Sequence, residues 1–176
     1  GEAAGDQSGT SIALSSDGSI VAIGAARNDG YGTSAGHVRV YENVSGTWTQ
    51  MGSDIDGEAA GDESGDGKTF VSAGSTVAIG GRCNSGNGTD AGHVRVYENV
   101  SGTWTQMGSD IDGEAAGDLF GHTTSLSSDG DTIAIGGRGN DGNGTDAGHV
   151  RVYENVSGTW TQMGSDIDGE AAGDQS

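Results

Sequence analysis

The sequence predicts an all-β fold of tandem, four-stranded antiparallel sheets, and three observations carry this prediction. The first is an internal repeat: the segment Ala35–Asp62 recurs letter for letter, at one constant offset, as Ala91–Asp118 and as Ala147–Asp174. The second is an alternation of apolar and polar residues between closely spaced turns, which is the period of a β-strand. The third is the absence of proline, a residue that blocks ladder hydrogen bonds, and of any helical period. Because a fixed period marks the structural unit, each repeat is expected to form one sheet.

The repeat divides the chain into three units of equal length and the start of another. We place the units at 1–56, 57–112 and 113–168, and we assign 169–176 to a further repeat. The last eight residues, GEAAGDQS, are identical to the first eight. We therefore expect the sequence to be a piece of a longer protein.

Four strands are predicted in the first unit. They are Ser11–Ser15, Ile20–Gly24, His37–Asn43 and Trp48–Ile55. Asp17-Gly18 is typical of a hairpin tip between the first two strands, and Val44-Ser45-Gly46-Thr47 is predicted as the turn between the third and fourth. Four short antiparallel strands in each repeat are typical of a blade of the β-propeller type. A β-helix is the alternative, although its coils are usually shorter than this unit and need no internal hairpins.

Three blades are too few to close a ring, because propellers contain about four to eight. The ring is therefore expected to stay open in this chain alone. Further blades, association of copies, or an open head-to-tail filament would each continue the architecture. In the second unit Lys68 occupies the position of Ile12 and Thr124, so we expect its first strand to be the least well packed.

The acidic composition excludes several classes of partner. The net charge is −19, so anionic nucleic acids and anionic membrane surfaces are poor partners. No apolar run approaches the roughly 20 residues of a membrane helix, and no membrane insertion is expected. Leu, Ile, Val and Phe supply only 26 of 176 residues, a fraction typical of disorder. The regular alternation nevertheless favours a folded chain.

Catalysis is not expected, because an active site needs one asymmetric constellation of reacting groups. The candidate groups of this chain recur in equivalent copies, without a nucleophile elbow, a phosphate loop or zinc-ligand spacing. The single Cys83 is interpreted as an incidental loop thiol. Three repeated histidines open a strand after Ala-Gly, and we interpret them as forming a structural hydrogen bond rather than as ligands or bases. They are His37, His93 and His149.

An acidic loop in every unit is the candidate metal site. In the first copy, Asp54-Ile55-Asp56-Gly57-Glu58-Ala59-Ala60-Gly61-Asp62, carboxylates stand at positions 1, 3, 5 and 9. Ca²⁺ takes six to eight oxygen ligands, and such spacing brings several oxygens around one structural ion. The alternative is a solvated acidic linker between blades. The candidate ligands are Asp54, Asp56, Glu58, Asp62, Asp110, Asp112, Glu114, Asp118, Asp166, Asp168, Glu170 and Asp174.

Two further sets of side chains are candidates for interaction with glycans. Five Asn-X-Ser/Thr sequons predict N-glycosylation in a secreted chain, at Asn43, Asn99, Asn155, Asn87 and Asn143. The tryptophans are candidate stacking platforms for bound carbohydrate, or else pack on the tyrosine of the same hairpin. They are Trp48, Trp104 and Trp160.

The third unit carries the residues of a family resemblance. Phe120-Gly121, followed by a hairpin and by Ile133-Ala134-Ile135-Gly136-Gly137, resembles an FG-GAP repeat, in which Phe-Gly begins a blade and Gly-Ala-Pro follows its second strand. Gly24-Ala25-Ala26 is the nearest approach to the second element. The resemblance extends over the whole chain and implies an integrin-α-like β-propeller, extracellular or at the cell surface. Many FG-GAP blades bind calcium between the first two strands, but here that loop is too short for Asp17 or Asp129 to do so.

Two functions follow as hypotheses. The first is an extracellular structural or adhesive repeat protein, whose partners are other copies or further blades and which assembles into a longer chain or filament. The near-identity of half of each unit favours it, because one repeated surface provides repeated contacts. The alternative is a carbohydrate-binding, lectin-like propeller, dependent on calcium or not.

Overall fold

The computed structural model describes residues 1–67, 70–71 and 75–175, without the side chains of Phe70 and Val71. The prediction of an all-β fold is confirmed: every regular element of the described residues is a β-strand, and the strands form three antiparallel sheets. Lys68, which we expect to weaken the packing of the second unit, lies outside the described residues. No helix among the described residues is long and apolar enough to cross a membrane.

The three sheets repeat one topology, one sheet for each repeat unit. The first consists of β1 Ser8–Leu14, β2 Ile20–Ala25, β3 His37–Val44, β4 Thr47–Gln50 and β5 Ile55–Asp56. The second consists of β6 Phe70–Val71, β7 Thr76–Gly81, β8 His93–Val100, β9 Thr103–Gln106 and β10 Ile111–Asp112. The third consists of β11 Phe120–Leu126, β12 Thr132–Gly137, β13 His149–Val156, β14 Thr159–Gln162 and β15 Ile167–Asp168. In the first sheet the order is β1-β2-β3-β4, and β5 pairs with the beginning of β3.

The fourth strand of the blade is split, so the prediction of one continuous strand over Trp48–Ile55 is wrong. β4 pairs with the end of β3, β5 pairs with its beginning, and a bend at Gly52-Ser53 separates them. Gly52 has φ +70°, a left-handed conformation that glycine adopts without strain. The bend leaves the carbonyl of Met51 available to the next sheet, where it becomes part of the contact between blades.

The hairpin turns follow the sequence prediction. Ser45 and Gly46 link β3 to β4 with φ angles of 52° and 89°. Two consecutive positive φ angles are the signature of a type I′ turn, whose twist matches that of the flanking strands. Ser101-Gly102 and Ser157-Gly158 repeat the geometry in the other sheets.

The core lies between successive sheets, because alternation along each strand sends side chains to both faces. One apolar cluster joins a face of the first sheet, including Val38 and Val40, to a face of the second, including Val77 and Ile79. A second cluster joins the second and third sheets in the same way. Every inner sheet face is therefore buried by its neighbour, which explains how a chain with few large apolar residues forms a core.

The loop between units is tied to the preceding blade. The amide of Ser64 donates to the carbonyl of Ala35 at 2.9 Å, and Ser64 forms a parallel bridge with Gly36. A Cβ atom at Gly36 would lie 2.3 Å from the carbonyl oxygen of Ser64, so only glycine permits this approach. Gly92 and Phe120 repeat the bridge at the next boundary. The three sheets thus follow one another as propeller-like blades, and in this chain they do not close a ring.

Candidate functional site

A cluster of one glutamate, one histidine and one aspartate occurs three times in the chain. In each cluster the three ligand-type atoms lie within 4.8 Å of one another, close enough for the group to hold a metal ion. The clusters are Glu2, His37 and Asp54; Glu58, His93 and Asp110; and Glu114, His149 and Asp166. The glutamate comes from the acidic loop that precedes each blade, so each cluster lies at the beginning of a blade.

The histidine begins the central strand of its sheet and is buried, with exposed fractions of 2%, 1% and 0% for His37, His93 and His149. In the second and third sheets its Nε2 lies against a glycine of the neighbouring strand. A Cβ atom built on Gly81 or Gly137 would lie 2.8 or 2.9 Å from that nitrogen. The small residue leaves room for the imidazole, whose Nδ1 then faces the carboxylates.

In two of the clusters, the nitrogen facing the carboxylates forms no hydrogen bond with any described residue. The distance from Nδ1 to an Oδ2 atom is 3.5 Å for His37 and Asp54, and 3.6 Å for His149 and Asp166. Both Nδ1 atoms are buried and have no hydrogen-bond partner among the described residues, and the same is true of Nε2 of His149. The prediction that the histidine side chain forms a structural hydrogen bond is therefore wrong for His149. An orphaned buried nitrogen carries a free-energy cost, which a proton acceptor or a cation would remove.

Two of the three histidines have a pKa below the ordinary value for an imidazole. Burial lowers the pKa of His93 and His149, and the neighbouring guanidinium of Arg95 or Arg151 lowers it further. A neutral imidazole offers one ring nitrogen with a free lone pair, which is the form that binds metal ions.

An arginine two residues after each histidine is the positive charge closest to the cluster. In the first cluster Arg39 Nε lies 3.0 Å from Asp54 Oδ1, and its Nη2 contacts Glu2 Oε1. Arg151 pairs with Glu114 and Asp166 in the third cluster. Each of these guanidinium groups therefore joins the acidic loop to the blade that follows it.

The middle cluster has a different arginine arrangement. Arg95 Nη2 donates to the carbonyl of Asp56 at 2.8 Å, and its guanidinium lies 5.6 Å from the ring centre of Tyr97. Its Nη1 lies 3.5 Å from Glu58 Oε1, whereas Glu58 Oε2 faces His93 Nδ1 at 3.9 Å. Asp110 Oδ2 is 3.4 Å from the same nitrogen. The two carboxylates and the imidazole of this cluster thus face one another with the guanidinium to one side.

The structure divides the four carboxylates of each predicted loop among different surroundings. Asp54 belongs to the cluster of its own blade, while Glu58 belongs to the cluster of the next blade. Asp56 lies on β5, is exposed and pairs in register with His37. Asp62 is buried, and its Oδ2 accepts the amide of Ala59 at 2.9 Å, which caps the turn of the loop. The four carboxylates are close together in the sequence, but the fold places them in different surroundings.

The other two copies of the loop follow the same division. Asp110 and Asp166 each accept a hydrogen bond from the glutamine four residues earlier, at 2.6 and 2.7 Å. Asp118 and Asp174 cap their turns as Asp62 does. Asp112 and Asp168 lie on the short last strand. Glu170 belongs to none of the three clusters formed by the described residues.

The histidines and Glu2 are the site residues that the sequence reasoning did not select. The signal that points to them is a spacing: each histidine stands at one fixed distance after a glutamate and at another before an aspartate, as in Glu58, His93 and Asp110. These distances are too long for any local motif to contain. Only the return of the chain at each blade boundary brings the three groups together.

The tryptophans take two kinds of surroundings. Trp104 and Trp160 are half-buried and donate their ring N–H to the carbonyls of Met51 and Met107 in the preceding blade, at 2.7 and 2.8 Å. Trp48 is 46% exposed, and its ring N–H donates to no described residue. Two of the three candidate stacking platforms are therefore engaged by a neighbouring sheet.

The sequon asparagines differ in the freedom of the amide nitrogen that would carry a glycan. Nδ2 of Asn87 and Asn143 donates to the carbonyls of Gly113 and Gly169 at 2.7 and 2.8 Å. Nδ2 of Asn99 and Asn155 is buried. Asn43 is exposed at the tip of the first blade. Glycosylation of these residues stays a prediction, with Asn43 the most accessible of the hairpin-tip sites.

Comparisons with known proteins find matches among solved structures. No protein-family model matches the chain, and no curated protein matches its sequence. A solved structure that does match is the periplasmic gluconolactonase of Pseudomonas aeruginosa, with 13% identity and a TM-score of 0.42. The match covers 91% of this chain and 57% of that one, so this chain spans little more than half its length.

The chain is a tandem-repeat protein with propeller-like blades. Membership in the FG-GAP family stays a prediction, because no family model matches the chain. In the structure Phe120 and Gly121 begin β11, and Phe120 is fully buried.

Proposed function

We propose that this chain is an extracellular structural repeat protein that assembles head to tail, with other copies or with further blades of the same kind. The observation that carries the proposal is the contact between blades, which forms twice inside the chain. One half of this contact is exposed on the first blade, and the other half is exposed on the third blade. No catalytic role is part of the proposal, because the candidate groups recur in equivalent copies.

The contact between blades has a polar and an apolar part. The ring N–H of Trp104 reaches the carbonyl of Met51, and the indole lies over Gly52, where a Cβ atom would be 3.0 Å from its Cδ1. Around it Val77, Ile79 and Tyr97 pack on the preceding sheet. Trp160 repeats the hydrogen bond with Met107. Because the tryptophan, the methionine and the glycine all lie in the repeated half of the unit, every blade carries both halves of the contact.

The first blade exposes one half, which we call the head face: Leu14, Val21, Ile23, Tyr41 and Trp48. These residues line an apolar groove of about 420 Å³. Leu14 is 60% exposed, whereas its counterpart Leu126 in the third blade is 9% exposed. Positions that form the core elsewhere thus lie open here.

The third blade exposes the other half, which we call the tail face: Ala134, Val150, Val152, Met163 and Ile167. Ile167 is 60% exposed, whereas Ile55 and Ile111 at the same position are 4% and 5% exposed. Monomeric proteins rarely leave contiguous apolar faces open, and such faces mark sites of association. A head face fits a tail face, because this is the pairing between the blades within the chain.

Contacts of this kind are heterologous, so they produce a ring where the rotation closes and a filament where it does not. The resemblance to FG-GAP repeats supports an adhesive role outside the cell, by analogy. Structural calcium in the acidic loops is a hypothesis separate from head-to-tail assembly, and the division of one loop's carboxylates between two clusters counts against it.

Two variants that damage opposite faces test the proposal by complementation. Trp48→Ala removes the anchor of the head face, and Ile167→Lys places a charge in the tail face. In sedimentation velocity across a concentration series, the unaltered chain is expected to associate and each variant alone to remain monomeric. An equimolar mixture should form dimers and nothing larger, because one intact head then meets one intact tail.

Tyr31→Ala is the matched control, since Tyr31 is 66% exposed in the loop between β2 and β3 and belongs to neither face. This variant should associate like the unaltered chain. A mixture of the two face variants that stays monomeric would contradict head-to-tail pairing. Circular dichroism of each variant verifies that the sheets are intact.

Carbohydrate binding is the second candidate function, and the exposed pair Tyr41 and Trp48 in the apolar groove favours it. Aromatic faces of this kind stack on sugar rings. Binding to a glycan array that Trp48→Ala abolishes and Ile167→Lys leaves unchanged would favour this function. If both variants still bind the glycans, Trp48 is not the stacking platform.

A further inference from the structure

We propose that the three Glu–His–Asp clusters are binding sites for a transition-metal ion of the Zn²⁺ class. The ligands in the middle site are Glu58 Oε2, His93 Nδ1 and Asp110 Oδ2, with equivalent residues in the other two. The proposal concerns junctions inside the chain and is independent of how copies associate.

The distances between ligand atoms have the size that such an ion requires. Zn²⁺ binds nitrogen and carboxylate oxygen at about 2.0–2.2 Å, and two ligands at tetrahedral positions are then roughly 3.4 Å apart. The Nδ1–Oδ2 distances are 3.5, 3.4 and 3.6 Å in the three clusters. A hydrogen bond between nitrogen and oxygen is shorter, about 2.7–3.2 Å. The spacing therefore suits an ion held between the groups better than direct hydrogen bonds.

The burial and the orientation of the histidine favour its role as a metal ligand. His37 and His149 are at most 2% exposed, and the nitrogen that each turns toward the carboxylates has no hydrogen-bond partner in the described part of the chain. Neutral imidazole with carboxylates is a donor set typical of Zn²⁺ and its neighbours, whereas Ca²⁺ prefers oxygen alone. The donor set therefore favours a transition metal over the calcium that the acidic loops predicted.

Neighbouring polar groups orient the aspartate. Gln106 Nε2 donates to Asp110 Oδ1 at 2.6 Å and leaves Oδ2 directed at His93. Gln50 and Gln162 hold the aspartates of the other clusters in the same way. Partners that fix the free oxygen of a ligating carboxylate are a recurrent feature of metal sites.

The arginine competes with the ion, and the middle cluster shows how the competition can be relieved. Arg39 and Arg151 donate to the aspartates of their clusters, whereas Arg95 lies on Tyr97 and donates to the carbonyl of Asp56 instead. The same side chain thus has a resting place away from the aspartate. We expect the middle site to bind the ion most tightly.

Binding at these sites would join successive repeats. The glutamate belongs to the loop after one sheet, while the histidine and the aspartate belong to the next sheet. An ion that binds the folded chain alone raises its stability by mass action. Zinc is therefore expected to raise the melting temperature of the full chain.

Calorimetric titration of the full chain with Zn²⁺ tests the proposal, using Trp48→Ala as the background so that association does not interfere. Three equivalents are expected. Glu58→Gln, a change at a half-exposed side chain, should reduce the number to two or weaken one site at least tenfold. Co²⁺ should show tetrahedral absorption bands that decrease by about a third in this variant.

Glu170→Gln is the matched control, because Glu170 stands in an identical loop but belongs to none of the three described clusters. It should leave the stoichiometry and the spectrum unchanged. Arg95→Gln should tighten the middle site, because it removes a positive charge that still lies 3.5 Å from Glu58 Oε1. If that variant loses its fold by circular dichroism, Arg39→Gln provides the same test in the first cluster.

Three results would overturn the proposal. The first is the absence of Zn²⁺ binding at micromolar concentrations of the folded chain. The second is Zn²⁺ binding that Glu58→Gln leaves unchanged. The third is binding of Ca²⁺ in preference to Zn²⁺, lost in Asp112→Asn and retained in Glu58→Gln, which would place the ion in the acidic loop and not in the Glu–His–Asp cluster. None of these outcomes depends on head-to-tail association, so the two proposals fail separately.

Discussion

At the scale of single residues, the chain illustrates how a lone side chain acquires its chemistry from its surroundings. Cys83 is half-buried, and burial is the main reason that its pKa is raised to about 11. The carboxylate of Glu63, with Oε2 3.6 Å from the sulfur, also raises the pKa, while the charge of Arg82 acts in the opposite direction. The interpretation of Cys83 as an incidental thiol stays a prediction.

Cys83 is expected to react slowly with iodoacetamide. The thiolate is the reactive form, and with a pKa of about 11 it is a small fraction of the thiol at pH 8. The rate should be on the order of a hundredfold below that of the chain unfolded in urea, whose cysteine has an ordinary pKa. Glu63→Gln should accelerate the reaction. Equal rates for the folded and the unfolded chain would contradict this environment.

At the scale of elements, the split fourth strand and the tryptophan of the next blade together form the hydrogen bond between blades. The bend at Gly52 exposes the carbonyl of Met51, and Trp104 satisfies it. The turn residues and the tryptophan were visible in the sequence. The bend was not, because Trp48–Ile55 reads as a strand throughout and the reason for the break lies in the neighbouring blade.

Trp104→Phe is expected to destabilise the chain by about 1–3 kcal/mol, because it preserves most of the apolar contact but leaves the carbonyl of Met51 without its donor. Trp48→Phe is the matched control. Since the ring N–H of Trp48 donates to no described residue, its effect should be close to zero. Urea unfolding of both variants measures the difference. Equal effects would show that the hydrogen bond between blades adds nothing to the apolar contact.

At the scale of the whole molecule, charge opposes the association that the apolar end faces favour. Each chain carries a net charge of −19, so two copies repel each other at low ionic strength. The head and tail faces themselves consist of apolar residues. Electrostatics and burial of apolar surface thus act in opposite directions.

Raising the salt concentration from about 0.01 M to 0.15 M is therefore expected to strengthen association. The screening length falls from about 30 Å to about 8 Å, which removes most of the repulsion between chains. Sedimentation velocity at several salt concentrations measures the change, and Trp48→Ala should remain monomeric throughout. Association that weakens with salt would mean that ion pairs between chains dominate the interface.

Much of the fold followed from the sequence for a simple physical reason: strand period, turn chemistry and repeat length are local properties of the chain. The hairpins at Ser45-Gly46 and at Asp17-Gly18 need only a few residues to form, so the local sequence was sufficient to predict them. The acidic loop was a partial success. Asp54 and Glu58 both belong to candidate metal clusters, but not to the same one.

By itself the sequence determined the all-β class, the repeat unit, the positions of the hairpins and the acidic character of the chain. Only the tertiary structure decided that His93 faces Glu58 and Asp110, which are far from it along the chain, and that Trp104 belongs to the contact with the preceding blade. These features depend on how one sheet packs on the next. Packing between sheets brings together residues that no local pattern connects.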